Sequence, residues 1–286
     1  MSVRARVASI TPDRYRRRVI HLEQDLRAWA RVARGQLGPL PSFLLLGVQK
    51  GGSTSFWDHL QRLPEMNPHL PKEMLFFNRY APRRPLSWYR ARFWEPSAPH
   101  ALQGDGTLTY LPSLHAPARA HRVVPDAKLV VLLRDPVERA LSHYKHDVRR
   151  GEQPRPLMDV LREEQAELEA GASILFDHPR GRPPRLSYLR RGLYEHQLNN
   201  WLQHYRPEQL HIILSEDYFA HPVDEMSRFL DFLGGEYSAT PPAVRSGERA
   251  KAVLDTREAR ALLSEFFAAP NEQLAQRLGK PGLWSE

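Results

Sequence analysis

Residues 43–54 read FLLLGVQKGGST, and this stretch is the strongest indication of the fold. The apolar run Phe43 to Val48 predicts a strand, and it ends in a turn that contains the glycine pair Gly51 and Gly52. Strand, glycine-containing turn and helix is the arrangement in which backbone N–H groups and the positive end of a helix dipole bind a phosphate. The stretch therefore predicts a phosphate-binding loop.

The lysine of this stretch lies inside the turn and not at the start of the helix. Gly47, Gly52 and Thr54 match the nucleotide-binding pattern G-x-x-x-x-G-K-[ST], but Ser53 stands at its lysine position. In nucleoside triphosphatases that lysine reaches the β- and γ-phosphates beside a magnesium ion. Lys50 instead suits a nucleotide whose transferable group is attached at the 5′-phosphate and needs no metal. A turn that only joins a strand to a helix is the alternative.

Short β-like runs alternate with helical patterns along the rest of the chain. This alternation predicts an α/β, P-loop-like three-layer fold with a central, mostly parallel sheet flanked by helices. The predicted strands cover residues 43–48, 74–77, 106–109, 129–133 and 210–214, and the predicted helices cover 53–63, 136–150, 158–170, 186–205 and 222–233. We expect residues 1–40 to form an N-terminal helical extension and 41–286 a single domain, with irregular loops near 78–103 and 149–185.

The composition limits the class of protein. The 286 residues include 41 Lys and Arg against 33 Asp and Glu, a net charge of +8 that favours an anionic partner, although scattered surface arginines give the same balance. The absence of cysteine excludes disulfides, thiolate metal sites and a cysteine nucleophile. No apolar run reaches about 18 residues, and the arginine-rich N-terminus lacks a secretory core. The sequence thus predicts no membrane span and a cytoplasmic location.

Four segments in a fixed order resemble one enzyme family. They are GVQKGGSTS (47–55), PKEMLFF (71–77), KLVVLLRDPVERALSHYKH (128–146) and GLYEHQLNNWLQHYRPEQLHIILSEDY (192–218). Together they resemble the sulfotransferases that use 3′-phosphoadenosine 5′-phosphosulfate (PAPS), above all the heparan-sulfate-type branch and its bacterial relatives. The resemblance covers residues 42–235. It implies transfer of a sulfuryl group to a hydroxyl or amine of a carbohydrate or other small-molecule acceptor, with release of 3′-phosphoadenosine 5′-phosphate (PAP).

The resemblance assigns residues to each part of PAPS. The sulfuryl transfer that it implies requires no metal. The residues assigned to the 5′-phosphosulfate are Lys50, Gly51, Gly52, Ser53, Thr54 and Ser55. Arg134 and Ser142 are assigned to the 3′-phosphate, which a guanidinium fork and a hydroxyl can both bind by hydrogen bonds. A basic loop with Arg245, Arg249 and Lys251 would close over the adenine and the 3′-phosphate.

The same resemblance assigns the chemistry to Glu73, Lys50 and Lys72. Glu73 would be the general base that takes the proton of the acceptor hydroxyl or amine. Lys50 would stabilise the charge that develops on the bridging oxygen, and Lys72 would assist there or bind an anionic acceptor. Without the neighbouring segments, Lys72 and Glu73 would be read as a surface ion pair.

The acceptor site is the least specified part of the prediction. The assigned acceptor contacts are Asp105, Thr107, Tyr110 and Tyr194, of which Tyr194 fits the core equally well. The arginines of the two irregular loops suit an anionic saccharide. The aromatic residues Trp88, Tyr89, Phe93 and Trp94 suit stacking on a sugar face or on a lipid-linked or polyketide acceptor.

Other readings of the sequence remain open. His143 and His146 share a helix face, but no carboxylate-rich ligand set accompanies them, so we expect solvated or supporting histidines instead of a metal site. A P-loop kinase or triphosphatase is one functional alternative, and it would need magnesium. A non-catalytic basic module for nucleic acids is the other, although we expect no nucleic-acid partner.

Overall fold

The computed structural model describes residues 13–67, 72–93, 101–177, 183–235 and 256–284. Its strands are β1 (Phe43–Gly47), β2 (Gly104–Gly106), β3 (Lys128–Leu133) and β4 (Leu210–Leu214). Its α-helices are α1 (Asp13–Ala33), α2 (Ser53–Leu60), α3 (Leu86–Arg90), α4 (Ala116–Val123), α5 (Pro136–Arg149), α6 (Leu157–Glu169), α7 (Tyr194–Leu202), α8 (Ser215–Ala220), α9 (Pro222–Leu233) and α10 (Arg257–Leu278). Single turns of π-helix (Phe76–Tyr80) and 3₁₀-helix (Arg190–Gly192 and Pro207–Gln209) complete the described elements.

The strands form one parallel sheet in the order β2-β1-β3-β4. Strand β1 is buried along its whole length, as expected where helices cover both faces of a parallel sheet. Gly47 and Leu133, the last residues of the two central strands, therefore lie at the same edge. In an open α/β sheet this carboxyl edge is where ligands bind. The predicted α/β fold class is confirmed.

The core has one apolar cluster on each face of the sheet, because successive residues of a strand point to opposite sides. Leu44 belongs to one cluster with Trp201 of α7, whereas Leu45 belongs to the other with Phe56 of α2 and Phe229 of α9. A third cluster joins α5, α6 and α10. Helix α1 contributes Ala28 to the first cluster, and the division into a 1–40 extension and a 41–286 domain stays a prediction.

Two predicted elements are wrong in ways that affect the site. No strand occupies 74–77: Glu73 and Leu75 have left-handed φ angles of 55°, and a π-helical turn follows. The N–H of Phe76 bonds the hydroxyl of Tyr110 at 2.9 Å instead of a neighbouring strand. The predicted strand at 106–109 is shifted, since β2 ends at Gly106.

The predicted helix 186–205 begins late, at the start of α7. The buried carboxylate of Glu164 accepts N–H groups from the segment that precedes the helix. These groups belong to Tyr188, Leu189 and Arg190, with donor–acceptor distances of 2.6, 3.0 and 3.0 Å. These bonds hold the segment in the conformation that precedes α7, which includes the 3₁₀ turn Arg190–Gly192.

The predicted aromatic acceptor surface is also wrong. Trp88, Tyr89 and Phe93 are each 0% exposed and pack in the first core cluster. The ring of Tyr89 stacks on Phe76 with centroids 4.2 Å apart. These side chains bury apolar area and cannot stack on an acceptor, and Trp94 lies outside the described residues.

Candidate functional site

The loop between β1 and α2 is shaped by two glycines that tolerate no side chain. A Cβ on Gly51 would lie 2.6 Å from Cγ2 of Val48, and one on Gly52 would lie 2.8 Å from the ring of Phe219. Gly52 has φ 83° and Lys50 has φ 73°, so the chain turns through left-handed conformations twice. The loop thus packs closely on its neighbours and leads into the amino end of α2, whose first N–H groups lack partners within the helix.

Arg134, at the end of β3, lies against this loop. Its Nη1 donates to the carbonyl oxygen of Lys50 at 3.2 Å, and its Nη2 lies 3.7 Å from a carboxylate oxygen of Glu138. Arg134, assigned to the 3′-phosphate of PAPS, therefore contacts Lys50 of the loop assigned to the 5′-phosphosulfate. The following residue, Asp135, accepts the N–H of Val137 at 2.8 Å and is the cap of α5 that the sequence predicts.

Helix α5 carries Ser142, which is partly exposed, and two histidines. His143 is only 6% exposed and lies 3.4 Å from Asp147, so of the two roles that the sequence predicts it has the supporting one and not the solvated one. Burial, and then the charge of Arg191, hold its pKa well below the ordinary value. Burial and the charge of Lys50 lower the pKa of His146 to about 4. Both imidazoles are therefore neutral at pH 7 and lie within electrostatic reach of Lys50.

Lys72 and Glu73 lie beside the amino end of α2. Lys72 pairs with Gly106 of β2 in a parallel bridge, and its ammonium donates to Oγ1 of Thr54 at 3.4 Å. The N–H of Glu73 bonds the carbonyl oxygen of Gly106 at 2.7 Å. Burial raises the pKa of the Glu73 carboxyl, which a backbone hydrogen bond from Leu108 and the charge of Lys72 oppose. A carboxylate with a raised pKa is the better proton acceptor.

Three predicted acceptor residues, Asp105, Thr107 and Tyr110, are joined by hydrogen bonds. They are buried and contact the segment that follows Glu73. Asp105 accepts hydrogen bonds from Thr107 at 2.8 Å and from Tyr89 and Tyr110 at 2.9 Å each. Burial raises the pKa of this carboxyl to about 6, although the three hydrogen bonds lower it. Thr107 also accepts the N–H of Leu75 at 3.3 Å. Asp105, Thr107 and Tyr110 are each 0% exposed, so no acceptor reaches them in this conformation. Their direct contact with an acceptor stays a prediction.

Tyr194 is the fourth predicted acceptor residue, and it is 1% exposed in the core. Its hydroxyl donates to the carbonyl oxygen of Arg134, so Tyr194 holds the backbone of Arg134 from the core. The predicted basic loop with Arg245, Arg249 and Lys251 lies outside the described residues.

Two residues after β4 were missed by the sequence analysis. Ser215 donates from its hydroxyl to the carbonyl oxygen of Gly51, and Glu216 accepts the N–H of Asp135 at 3.1 Å. Both tie the loop region to the neighbouring strand. The available signal was their position directly after a predicted parallel strand, which brings them to the same edge of the sheet.

Comparisons with known proteins agree with this arrangement. The sequence profile of the sulfotransferase domain matches residues 40–255. Heparan sulfate glucosamine 3-O-sulfotransferase 6 of Mus musculus is 32% identical over 68% of this chain and 52% of its own length. The membrane-associated sulfotransferase kil1 of Dictyostelium discoideum is 25% identical over 87% of this chain and 68% of its own length. The chain thus spans about half the length of the first of these relatives.

A solved structure supports the fold. The sulfotransferase from Alicyclobacillus acidocaldarius superimposes with a TM-score of 0.63 at 24% identity, covering 82% of this chain and 96% of that one. Among the described residues, none of the helices combines the length and apolar character that a bilayer span needs. The same residues contain no group of three or more His, Asp or Glu side chains arranged to hold a metal ion.

Proposed function

Because the chain belongs to the sulfotransferase family, we propose that it transfers a sulfuryl group from PAPS to a hydroxyl or amine of an acceptor. The observation that carries the proposal is the contact between Arg134 and the Lys50 carbonyl. This contact places a guanidinium beside the glycine loop at one edge of the sheet. A nucleotide with 5′- and 3′-phosphates needs two neighbouring anion sites, which the loop and Arg134 could supply. Relatives that act on heparan sulfate make a carbohydrate the first acceptor class to test. The cytoplasmic location stays a prediction.

The described residues fit PAPS. Gly51 and Gly52 allow the loop to pack on Val48 and Phe219 and to lead into the amino end of α2, where unpaired N–H groups could bind the 5′-phosphate. Arg134, directly after β3, and the partly exposed Ser142, in the middle of α5, would bind the 3′-phosphate. When bound, PAPS supplies a sulfuryl group attached to its 5′-phosphate.

The protein's contribution to transfer would come from both sides of that group. Glu73 would accept the proton of the acceptor hydroxyl or amine while the new bond to sulfur forms. Lys50 would stabilise the negative charge on the oxygen that leaves with the 5′-phosphate, an interaction strongest in the transition state. Lys72, held by Thr54, would add positive charge beside the same loop.

The two alternatives have less support. A kinase or triphosphatase needs a lysine where Ser53 stands and a carboxylate for magnesium, but Asp135 is engaged as a helix cap. A nucleic-acid module explains the net charge but not the contact between Arg134 and the loop. Binding to nucleic acid would fall steeply with salt and would not depend on Lys50.

Calorimetry with PAP, in buffer without magnesium, tests the proposal. We expect wild type to bind PAP and Arg134→Ala to bind it about 10- to 100-fold more weakly, the usual loss for a charge-assisted hydrogen bond. AMP, which lacks the 3′-phosphate, should bind both proteins equally. Arg122→Ala is the matched control, because Arg122 is exposed on α4 before the opposite end of β3. Absence of PAP binding by wild type, with binding of ATP and magnesium, would overturn the proposal.

A further inference from the structure

Arg191 is a buried cation that neither the sequence analysis nor the proposed chemistry uses. It lies in the 3₁₀ turn before α7 and is 6% exposed. Its Nε donates to the hydroxyl of Ser187 at 3.0 Å, and its guanidinium lies 4.7 Å from the ring centroid of Phe176. These contacts hold the plane of the guanidinium in one orientation.

The carboxylates around Arg191 are engaged by other groups. Glu164 accepts three backbone N–H groups and the Nε of Arg190, at 3.2 Å for the latter. Arg190 also bonds Glu167 at 2.6 Å. Asp147 accepts the hydroxyl of Tyr188 at 2.8 Å. The local network is thus arranged around Arg190 and leaves its neighbour Arg191 without a carboxylate within ion-pair distance in the described part of the chain.

The terminal nitrogens of Arg191, Nη1 and Nη2, consequently have no acceptor among the described residues. Neither is one of the fully enclosed polar atoms without a partner, so solvent reaches both. A guanidinium that is mostly withdrawn from water and lacks an anion is costly. Two parallel donors that reach solvent from a rigid fork match the oxygens of a carboxylate or a sulfate.

The position of Arg191 connects it with the proposed base. The positive charge of Arg191 lowers the pKa of Glu73, and the negative charge of Glu73 raises the pKa of Arg191 in return. Burial and the charge of Arg139 lower the pKa of Arg191 to about 10, so it remains charged at neutral pH. An anion bound there would therefore lie within electrostatic reach of Glu73.

We propose that Arg191 is a specificity-determining residue that binds an anionic group of the acceptor, a carboxylate or a sulfate, near the hydroxyl or amine that reacts. This inference rests on the proposed function for the identity of the ligand as an acceptor. The phosphates of PAPS are assigned to the loop and to Arg134, so the fork of Arg191 remains for the second substrate.

A set of four oligosaccharides tests the assignment. All have alternating uronic acid and glucosamine units, with the carboxylates intact or reduced to alcohols, and with the amines sulfated or acetylated. Binding of each to the full chain without cofactor is measured by calorimetry for wild type, Arg191→Gln and Arg191→Lys. Arg122→Gln removes the same charge from an exposed position far from the site. PAP binding and the melting temperature are measured for every variant.

We expect wild type to bind a charged oligosaccharide at least about tenfold more tightly than the neutral one, and Arg191→Gln to lose that preference. If Arg191→Gln loses affinity only for oligosaccharides with intact carboxylates, the carboxylate is the ligand. If it loses affinity only for those with sulfated amines, the sulfate is the ligand. Arg191→Lys, which keeps the charge but not the fork, should retain part of the preference and serves if glutamine disturbs folding. PAP binding should be equal in all variants.

Equal binding of charged and neutral oligosaccharides by wild type would overturn the inference, as would an equal loss for all four in Arg191→Gln. Failure of wild type to bind PAP would overturn the proposed function instead. An Arg191-dependent preference for the charged oligosaccharides would still stand in that case.

Discussion

The hydroxyl of Tyr194 donates a 2.8 Å hydrogen bond to the backbone carbonyl oxygen of Arg134. Tyr194 begins α7 in the core, and Arg134 follows β3 at the carboxyl edge of the sheet. The bond therefore fixes the backbone from which the guanidinium reaches the loop at Lys50.

Tyr194→Phe removes this bond and leaves the carbonyl oxygen of Arg134 without its buried donor. We expect a loss of about 1 kcal/mol in the free energy of unfolding and a several-fold weaker affinity for PAP. Tyr205→Phe is the matched control, because the Tyr205 hydroxyl bonds the carbonyl oxygen of Val124 at 3.1 Å, away from the loop. Urea unfolding and calorimetry should show similar stability losses but a PAP effect only at Tyr194. Equal PAP affinities in the two variants would contradict the positioning role.

Lys50→Ala tests whether the lysine acts in the transition state. We expect kcat to fall by about 100- to 1000-fold, as for loss of a charge-stabilising donor, while PAP affinity changes little. The backbone strain at φ 73° is the same for alanine, so the variant isolates the ammonium group. Lys280→Ala, at an exposed ion pair with Asp217, is the control. A Lys50→Ala variant that loses PAP affinity and kcat equally would argue for a binding role alone.

The pH dependence of kcat/KM should report Glu73. Because burial raises the pKa of its carboxyl, we expect activity to increase with pH through a value above that of an ordinary glutamate. Lys72→Met removes a cation that lowers this pKa, so the acid limb of the profile should move to higher pH. Glu73→Gln should lose about 100- to 10,000-fold in kcat. An acid limb unmoved in Lys72→Met would exclude Glu73 as the titrating group.

Asp105 should make stability depend on pH. Its pKa in the folded protein is about 6, above the unfolded value, so the folded state holds a proton that the unfolded state releases. Stability therefore decreases as pH rises from about 4 to 6, by about 2 to 3 kcal/mol for this group, and is then constant. Asp105→Asn lacks this titration. The difference in unfolding free energy between wild type and variant should shrink by that amount, and a difference independent of pH would contradict it.

Gly52→Ala should damage the loop. The added methyl would lie 2.8 Å from the Phe219 ring at a φ of 83°, and overpacking with backbone strain costs about 1 to 3 kcal/mol. We expect a lower melting temperature and weaker PAP binding. Gly235→Ala is the control, since a Cβ there meets its nearest atom at 3.8 Å. A Gly52→Ala variant as stable as the control, with unchanged PAP affinity, would show that the loop relaxes around the methyl group.

Several elements were predictable because their signals are local. Strand β4 has the predicted bounds, and Asp135 caps α5 as its position before a proline indicates. Glycines at 51 and 52 predicted a turn at which a helix begins, and the structure places Ser53 at that start. Each of these features depends on the backbone conformations that a few neighbouring residues prefer, and those preferences are the same in any environment.

The sequence by itself determined a mostly parallel sheet, the glycine loop after one strand and the position of Arg134 at the end of another. Only the tertiary structure decided that Trp88 and Tyr89 are core and that Asp105 is a buried hydrogen-bond acceptor for Tyr89. It alone also shows that Arg191 has no carboxylate within ion-pair distance among the described residues. The physical reason is range: turn and strand preferences act between neighbours, whereas burial and counterions come from segments far apart in the chain. An aromatic ring or a charged group has the same letter in the sequence whether it meets solvent, a core or a substrate.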